Sequence, residues 1–306
     1  MGIARRILLG ASRSAFLARQ LRDRRFFRGA VRRFMPGEEL EDALRAAAEF
    51  GQAGIGTVLT ELGEQVTNRG EAEAVREHYL GVLDQISQRR LPSEVSVKLS
   101  HLGLDIDAAW CLANVRSLAA RAAERGGFLW VDMEESWYVD RTLALYRQIR
   151  AERPNVGVAM QAYLRRTPAD VATLLPLKPT IRLVKGAYNE PAGVAFPRKA
   201  DTDAQYFQLA EQLLEATKTG TRAVFGTHDL PLIRRIRERA VDLRVPSDRF
   251  EIHMLYGIKA REQRALKSDG AKVSVLISYG HAWFAWYMRR LAERPANIWF
   301  VLRNLV

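Results

Sequence analysis

Eight short runs of β-branched and apolar residues recur along this chain, and they constrain the fold more than any other feature. They fall at 56–59, 95–98, 128–132, 156–161, 180–184, 222–226, 250–255 and 272–277. Between them lie segments whose apolar residues repeat at helical spacing, among them 71–85, 108–123, 141–152 and 204–216. Strands that alternate with helices pair in parallel through crossovers, and eight such units close into a barrel. The predicted architecture is therefore α/β, a (β/α)8 barrel of the TIM type over residues 51–306. It is preceded by N-terminal helices in an arm covering residues 1–50. Within that arm, residues 38–50 read as a leading helix with Glu38, Glu39 and Glu41 in its first turn, where the helix dipole favours acids. The Pro and Gly clusters beyond Gly51 are short enough to be loops.

Composition narrows the class. With 306 residues, 48% of them hydrophobic, the chain can bury a large single core. Its one cysteine, Cys111, excludes an intramolecular disulfide and fits a reducing compartment. No run of about 18 apolar residues offers a membrane span. The apolar stretch at 7–10 is short and soon followed by Arg13, so it does not read as a secretory signal. The expected location is cytoplasmic, with peripheral contact on the inner face of the cytoplasmic membrane as the alternative.

The net charge of +12 is concentrated. Residues 1–36 hold ten arginines against one acid, Asp23, a surplus of +9 that leaves only +3 for the other 270 positions. Ile7, Leu8, Leu9, Phe16, Leu17, Phe26, Phe27 and Phe34 are interleaved with them. Such a segment suits an anionic membrane surface and could equally contact nucleic acid. It could also pack an apolar stripe on the domain and leave its charges in water. Nucleic acid is the weakest of these readings, because the arm carries no recognised reading motif and the barrel little surplus charge.

In a barrel of this type the C-terminal ends of the strands face the active site. The polar residues near those ends are Glu61, Glu64, Lys98, Asp132, Gln161, Arg182, Lys185, Thr227, His228, Glu251 and His253. Burying so many without partners would cost several kcal/mol each, which favours a functional mouth. The five histidines and Cys111 show no metal-ligand spacing, so no metal site is expected. What remains is a cation-rich mouth with few acid–base groups, suited to an anionic substrate and a phosphate-bearing cofactor that carries redox chemistry itself. In the last helix Trp283, Trp286, Tyr287 and Arg290 fall on one face. The adjacent Arg289 and Arg290 suit bidentate capture of a carboxylate.

Six segments then occur in order: VKLS at 97–100, VDME at 131–134, QAYL at 161–164, RLVKGAY at 182–188, FGTHD at 225–229 and RRLAE at 289–293. Together they resemble the catalytic domain of proline dehydrogenase, in its compact monofunctional bacterial form, from about Val31 to the C-terminus. The resemblance implies a distorted barrel with FAD across its mouth, contacted by Met133, Gln161, Arg182, Lys185, Gly186, Ala187, Thr227 and His228. It implies that Arg182 sits near flavin N5. Lys98, Arg289 and Arg290 would hold the substrate carboxylate, with Asp132 positioning the lysine. Leu255 and Tyr163 would shape the pocket, and Glu64 would pair with Arg289 to close it. The implied reaction is hydride transfer from L-proline to flavin N5, giving Δ1-pyrroline-5-carboxylate. Electrons would pass to a membrane quinone, and a pyrroline-5-carboxylate dehydrogenase would be the natural downstream partner.

This chain departs from the family pattern at the eighth strand, where Leu276 stands in place of a tyrosine that packs on the proline ring. His253 also replaces a more usual glutamine, and Gly226 a more usual alanine. The expected consequence is weaker selectivity for proline, or a related cyclic imino acid such as hydroxyproline as substrate. A non-catalytic flavin- or membrane-binding barrel is the remote alternative, disfavoured because Lys98, Arg182, Arg289 and Arg290 are all present.

Overall fold

A computed structural model describes residues 33–63 and 66–283. Helix α1 (Leu40–Gln52) leads into β1 (Gly56–Glu61), α2 (Arg69–Gln88), β2 (Ser93–Val97), α3 (Ala108–Glu124), β3 (Leu129–Val131), α4 (Val139–Glu152) and β4 (Val156–Gln161). There follow α5 (Thr167–Leu174), β5 (Thr180–Val184), α6 (Lys199–Thr217), β6 (Arg222–Gly226), α7 (Leu230–Asp242), β7 (Phe250–Leu255), α8 (Ala260–Ser268) and β8 (Lys272–Tyr279). All eight strands are parallel, and β8 pairs with β1 to close the predicted barrel.

Local chemistry sets many of these bounds. Asn68 caps α2 by accepting the backbone N–H of Glu71 at 3.0 Å. Asp107 caps α3 through Ala109 at 2.9 Å and Trp110 at 3.1 Å. Strands β4 to β7 match the predicted runs. β1 and β8 each extend two residues further, because Thr60↔Ser278 and Glu61↔Tyr279 continue the closing ladder with polar side chains. β2 and β3 stop one residue earlier, so Lys98 and Asp132 stand just beyond their strands.

Helix α1 begins later than its acids promised. Glu39 is extended (φ −87°, ψ 150°), and its carbonyl accepts the first helical bond from Asp42 at 3.1 Å. Glu38 lies outside the helix and has another task. Its carbonyl accepts the N–H of Gly280 at 2.8 Å, and its carboxylate accepts Trp283 Nε1 at 3.1 Å. His281 Nδ1 lies 2.7 Å from the same carboxylate. One residue thus ties the chain leaving β8 to the segment entering α1. The buried stripe of α1 (Ala43, Leu44, Ala46 and Ala47) joins the main core between helices and strands.

The barrel interior is packed separately. Val58, Trp130 and Val224 form its apolar centre, with Phe128 and Leu276 against them. Gly157 makes room for the indole, since a Cβ there would lie 2.7 Å from Trp130 Cζ3. Toward the N-terminal ends of the strands the interior is ionic. Arg222 gives Glu251 two hydrogen bonds, at 2.7 and 2.9 Å, and pairs with Glu94 at 2.8 Å. Lys272 adds a bond to Glu251 at 2.8 Å, and Trp130 Nε1 donates to Glu94 at 2.6 Å. Burial pushes the Glu251 carboxyl up, but the bonds from His253 and Arg222 outweigh it and hold the group well below the usual carboxylate range. Glu251 therefore belongs to the end of the barrel away from the mouth, where parallel barrels keep their structural residues. His253 lies just above it, buried, with Nε2 3.4 Å from Glu251 Oε2.

Removing one partner from a buried ionic network leaves charge uncompensated. Glu251→Ala is expected to lower unfolding free energy by about 3–5 kcal/mol. Glu152→Ala, which breaks an exposed pair with Arg116, should cost less than about 1 kcal/mol. Urea denaturation of both variants checks this, and equal losses would contradict it.

Candidate active site

Two residues read from the sequence, Arg182 and Asp132, are joined directly near the C-terminal ends of the strands. This arginine is the middle residue of β5, where strand alternation turns Ile181 and Leu183 to the outer core and the guanidinium to the interior. Its side chain is only 4% exposed. Nη2 donates to Ser96 Oγ at 2.9 Å and to the carboxylate of Asp132, and the guanidinium lies 4.8 Å from the centre of the Trp130 ring. Ser96 also donates to Asp132 at 2.9 Å. The other terminal nitrogen, Nη1, is buried and meets no partner among the described residues.

Gln161, at the end of β4, is held in a similar way. Its Nε2 donates to the carbonyl of Met133 at 3.2 Å, and its own carbonyl accepts Thr167 Oγ1 at 2.6 Å. Its Oε1 is a buried acceptor with no partner among the described residues. Native structures rarely leave such atoms unpaired, so one donor and one acceptor here fit a polar ligand.

After β5 the chain turns through Lys185, Gly186 and Ala187. Gly186 has φ +115°, and a Cβ there would sit 2.2 Å from Cδ1 of Tyr163. Only glycine lets this turn pack on that ring. Tyr163 also donates its N–H to the carbonyl of Lys185 at 2.9 Å. The Lys185 ammonium bonds Asp203 at 2.5 Å and Asp229 at 2.8 Å, and Lys199 reaches both acids too. Partial burial opposes ionisation of Asp229, but the two lysines prevail and hold it down at about 2. Lys185 is therefore a locked cation.

After β6, Thr227 donates its N–H to the carbonyl of His253 at 3.1 Å, and its hydroxyl accepts the N–H of Asp229 at 3.2 Å. His228 Nε2 accepts the N–H of Leu255 at 2.8 Å. An imidazole nitrogen that accepts carries no proton, so the neutral ring holds its proton on Nδ1. Leu276 is half-buried against the inner apolar cluster, and its carbonyl accepts the N–H of Tyr256 at 2.9 Å.

Lys98 donates to the carbonyl of Gly63 at 3.4 Å, and His101 lies on the other side of that glycine: a Cβ on Gly63 would be 2.2 Å from His101 Cε1. Burial, then the charges of Lys98 and His78, push His101 down to about 4. Glu64, Arg289 and Arg290 lie outside the described residues. Ser96, Trp130 and His101 were not singled out from the sequence. The first two stand two residues before Lys98 and Asp132, so strand parity carried the signal; His101 left none, because its neighbours come from other elements.

The mouth therefore presents fixed cations, buried polar atoms of Arg182 and Gln161 without a hydrogen-bond partner among the described residues, and apolar side chains. It can hold an anionic ligand firmly. Among the described residues no helix is long and apolar enough to cross a membrane.

A sequence profile of the proline dehydrogenase family matches residues 43–303. Proline dehydrogenase 1 of Bacillus subtilis is 36% identical over 277 residues, covering 90% of each chain. Proline dehydrogenase of Deinococcus radiodurans is 36% identical over 279 residues, covering 90% of this chain and 89% of its own. Among solved structures, proline utilization A from Bdellovibrio bacteriovorus inactivated by N-propargylglycine superposes with a TM-score of 0.80 at 23% identity. It covers 94% of this chain and 36% of that one, a likeness of fold.

His101 gives the mouth a pH dependence of known sign. Its folded-state pKa lies below the ordinary histidine value of 6.5, so its stabilising contribution is whole above about 6.5 and is lost as pH falls toward about 4. The stability difference between wild type and His101→Gln should shrink by roughly 2–3 kcal/mol across that window. A difference that stays constant in urea titrations over the window would contradict this.

Proposed function

The chain belongs to the proline dehydrogenase family, and from that premise we propose that it oxidises L-proline to Δ1-pyrroline-5-carboxylate with FAD as its cofactor. Oxidation of proline is the activity the family membership carries; the flavin, the residue roles and the electron acceptor are our reading of the site. The observation that supports it most is Arg182, a buried guanidinium with one terminal nitrogen committed to Asp132 and Ser96 and the other unpaired among the described residues. When bound, FAD supplies the acceptor for the hydride leaving the ring carbon beside the substrate nitrogen.

The chain's own residues then bind, orient and exclude water. Asp132 and Ser96 fix Arg182, and Arg182 Nη1 and Gln161 Oε1 offer the cofactor one donor and one acceptor. Met133, Lys185, Gly186, Ala187, Thr227 and His228 complete its contacts. Lys185, already neutralised by Asp203 and Asp229, would serve chiefly to shape the turn at Gly186. Lys98, with Arg289 and Arg290, holds the substrate carboxylate, whose desolvation demands at least one fixed cation. Glu64 pairs with Arg289 to close the site. Leu255, Tyr163 and Leu276 bound the substrate ring. Electrons leave to a quinone, a route that accounts for a basic, apolar-interleaved N-terminal arm visiting the inner face of the membrane. The product suits an enzyme that oxidises pyrroline-5-carboxylate.

A second reading rests on Leu276. Its side chain packs on Val58, Trp130 and Val224, leaving apolar contact but no aromatic face or hydroxyl toward a ring. A substituted ring such as hydroxyproline is then discriminated against less.

The purified protein is expected to show a visible flavin band that bleaches on anaerobic titration with L-proline. Parallel titration with trans-4-hydroxy-L-proline should reveal weak discrimination, and Leu276→Tyr should raise preference for proline about tenfold, the scale of one pocket contact. Bleaching by the hydroxylated ring alone would change the substrate. A protein that holds no flavin and cannot be loaded with any would overturn the reading.

A further inference from the structure

Arg182 rests on an aromatic surface that the roles above leave unused. Its guanidinium carbon lies 4.8 Å from the centroid of Trp130, whose side chain is fully buried. The indole is itself fixed on several sides. Nε1 donates to Glu94 at 2.6 Å, Phe128 packs with ring centroids 5.2 Å apart, and His253 meets it edge-on at 5.8 Å. Arg222, bonded to Glu94 and Glu251, lies 5.3 Å from the same ring. Trp130 thus separates two charged layers of the barrel, the ionic network beneath and the Arg182–Asp132–Ser96 group above.

Asp132 and Ser96 both hold the same nitrogen of Arg182, Nη2. A guanidinium tethered at one nitrogen can still tilt about it. Carboxylates favour two-pronged contact with arginine, so tilting would bring Nη1 to Asp132 and end its availability to a ligand. A flat π face against the guanidinium opposes that tilt, and buried cation–π contacts are the strong ones. Trp130 and Asp132 alternate on the same face of the β3 segment, so one stretch of backbone carries both restraints.

We propose that Trp130 is a positioning residue for Arg182, holding Nη1 available to the ligand at the mouth while Asp132 and Ser96 hold Nη2. The proposal rests on the FAD reading given above. It separates the ring's role from that of mere core filling, because it depends on an aromatic face and not on volume. Loss of the face weakens the hold on a cation beside the flavin, so reduction becomes less favourable. The substrate carboxylate is held by other cations, so substrate affinity changes little.

The test compares flavin-loaded Trp130→Phe and Trp130→Met, which both lose the indole volume and the bond to Glu94. Only the first keeps an aromatic face. Trp130→Phe is expected to keep kcat within about threefold of wild type, and Trp130→Met to lose about tenfold with KM for proline changed less than about twofold. Without proline, dye-coupled titration should place the flavin midpoint potential of Trp130→Met more negative than that of wild type and Trp130→Phe. Equal kcat and equal potentials in the two variants would overturn the proposal. If Trp130→Met does not retain flavin, Glu94→Leu decides: it removes the acceptor of the indole Nε1–H, and freeing that edge should move potential and kcat in the same direction, whereas wild-type values would overturn it. Wild-type enzyme that proline fails to reduce would sink the FAD reading itself, a separate outcome.

Discussion

A guanidinium buried inside a barrel persists only if its charge is balanced and its donors are met, and the site is organised by how Arg182 meets that demand. Desolvating an ion of this size costs several kcal/mol even after relaxation. Asp132 supplies the opposite charge, Ser96 shares one nitrogen with it, and Trp130 lies against the guanidinium. These partners come from β2 and from the β3 segment that ends at Asp132, and they require the strands to stand in the register observed. One donor, Nη1, has no partner among the described residues. At the mouth of a barrel such an atom is a candidate contact for a ligand.

The same physics is resolved differently at the two ends of the barrel. At the N-terminal ends Arg222, Lys272, Glu94 and Glu251 satisfy one another, and the network is closed. At the C-terminal ends the charges are fixed but incompletely spent. Lys185 is neutralised by two acids, whereas Arg182 and Gln161 each keep one atom without a partner among the described residues. Trp130 lies between the layers and touches arginines from both. The closed ionic network and the proposed binding groups thus lie at opposite ends of the barrel axis, as the fold permits.

Much of this was legible in the sequence because strands in a parallel barrel are short apolar runs with definite ends. β4 to β7 could be bounded to the residue. The ends of β1 and β8 could not, since Thr60, Glu61, Ser278 and Tyr279 are held by the ladder between the first and last strands, a pairing no local pattern reveals. Glu251 read as a mouth residue although it stands second in β7, at the structural end, because its partners Arg222 and Lys272 lie on neighbouring strands that no local pattern brings to it. Glu38 read as helix-dipole chemistry and instead ties the two ends of the barrel together. Gln161 was found because it ends β4, Lys98 and Lys185 because they stand just beyond β2 and β5, and Arg182 because it lies two residues inside the end of β5. The way Asp132 and Ser96 share one nitrogen of Arg182, leaving the other open, depends on three strands at once.

In the FAD reading proposed above, Arg182 is the point at which the barrel grips the cofactor. The most direct test is the thermal midpoint of flavin-free wild type and of flavin-free Arg182→Met, each measured without and with excess FAD. A ligand that binds only the folded state raises the midpoint in proportion to its affinity. FAD is expected to raise the midpoint of the wild type and to raise that of the variant far less. An equal rise in both proteins would contradict the claim and move the cofactor's hold to other residues of the mouth.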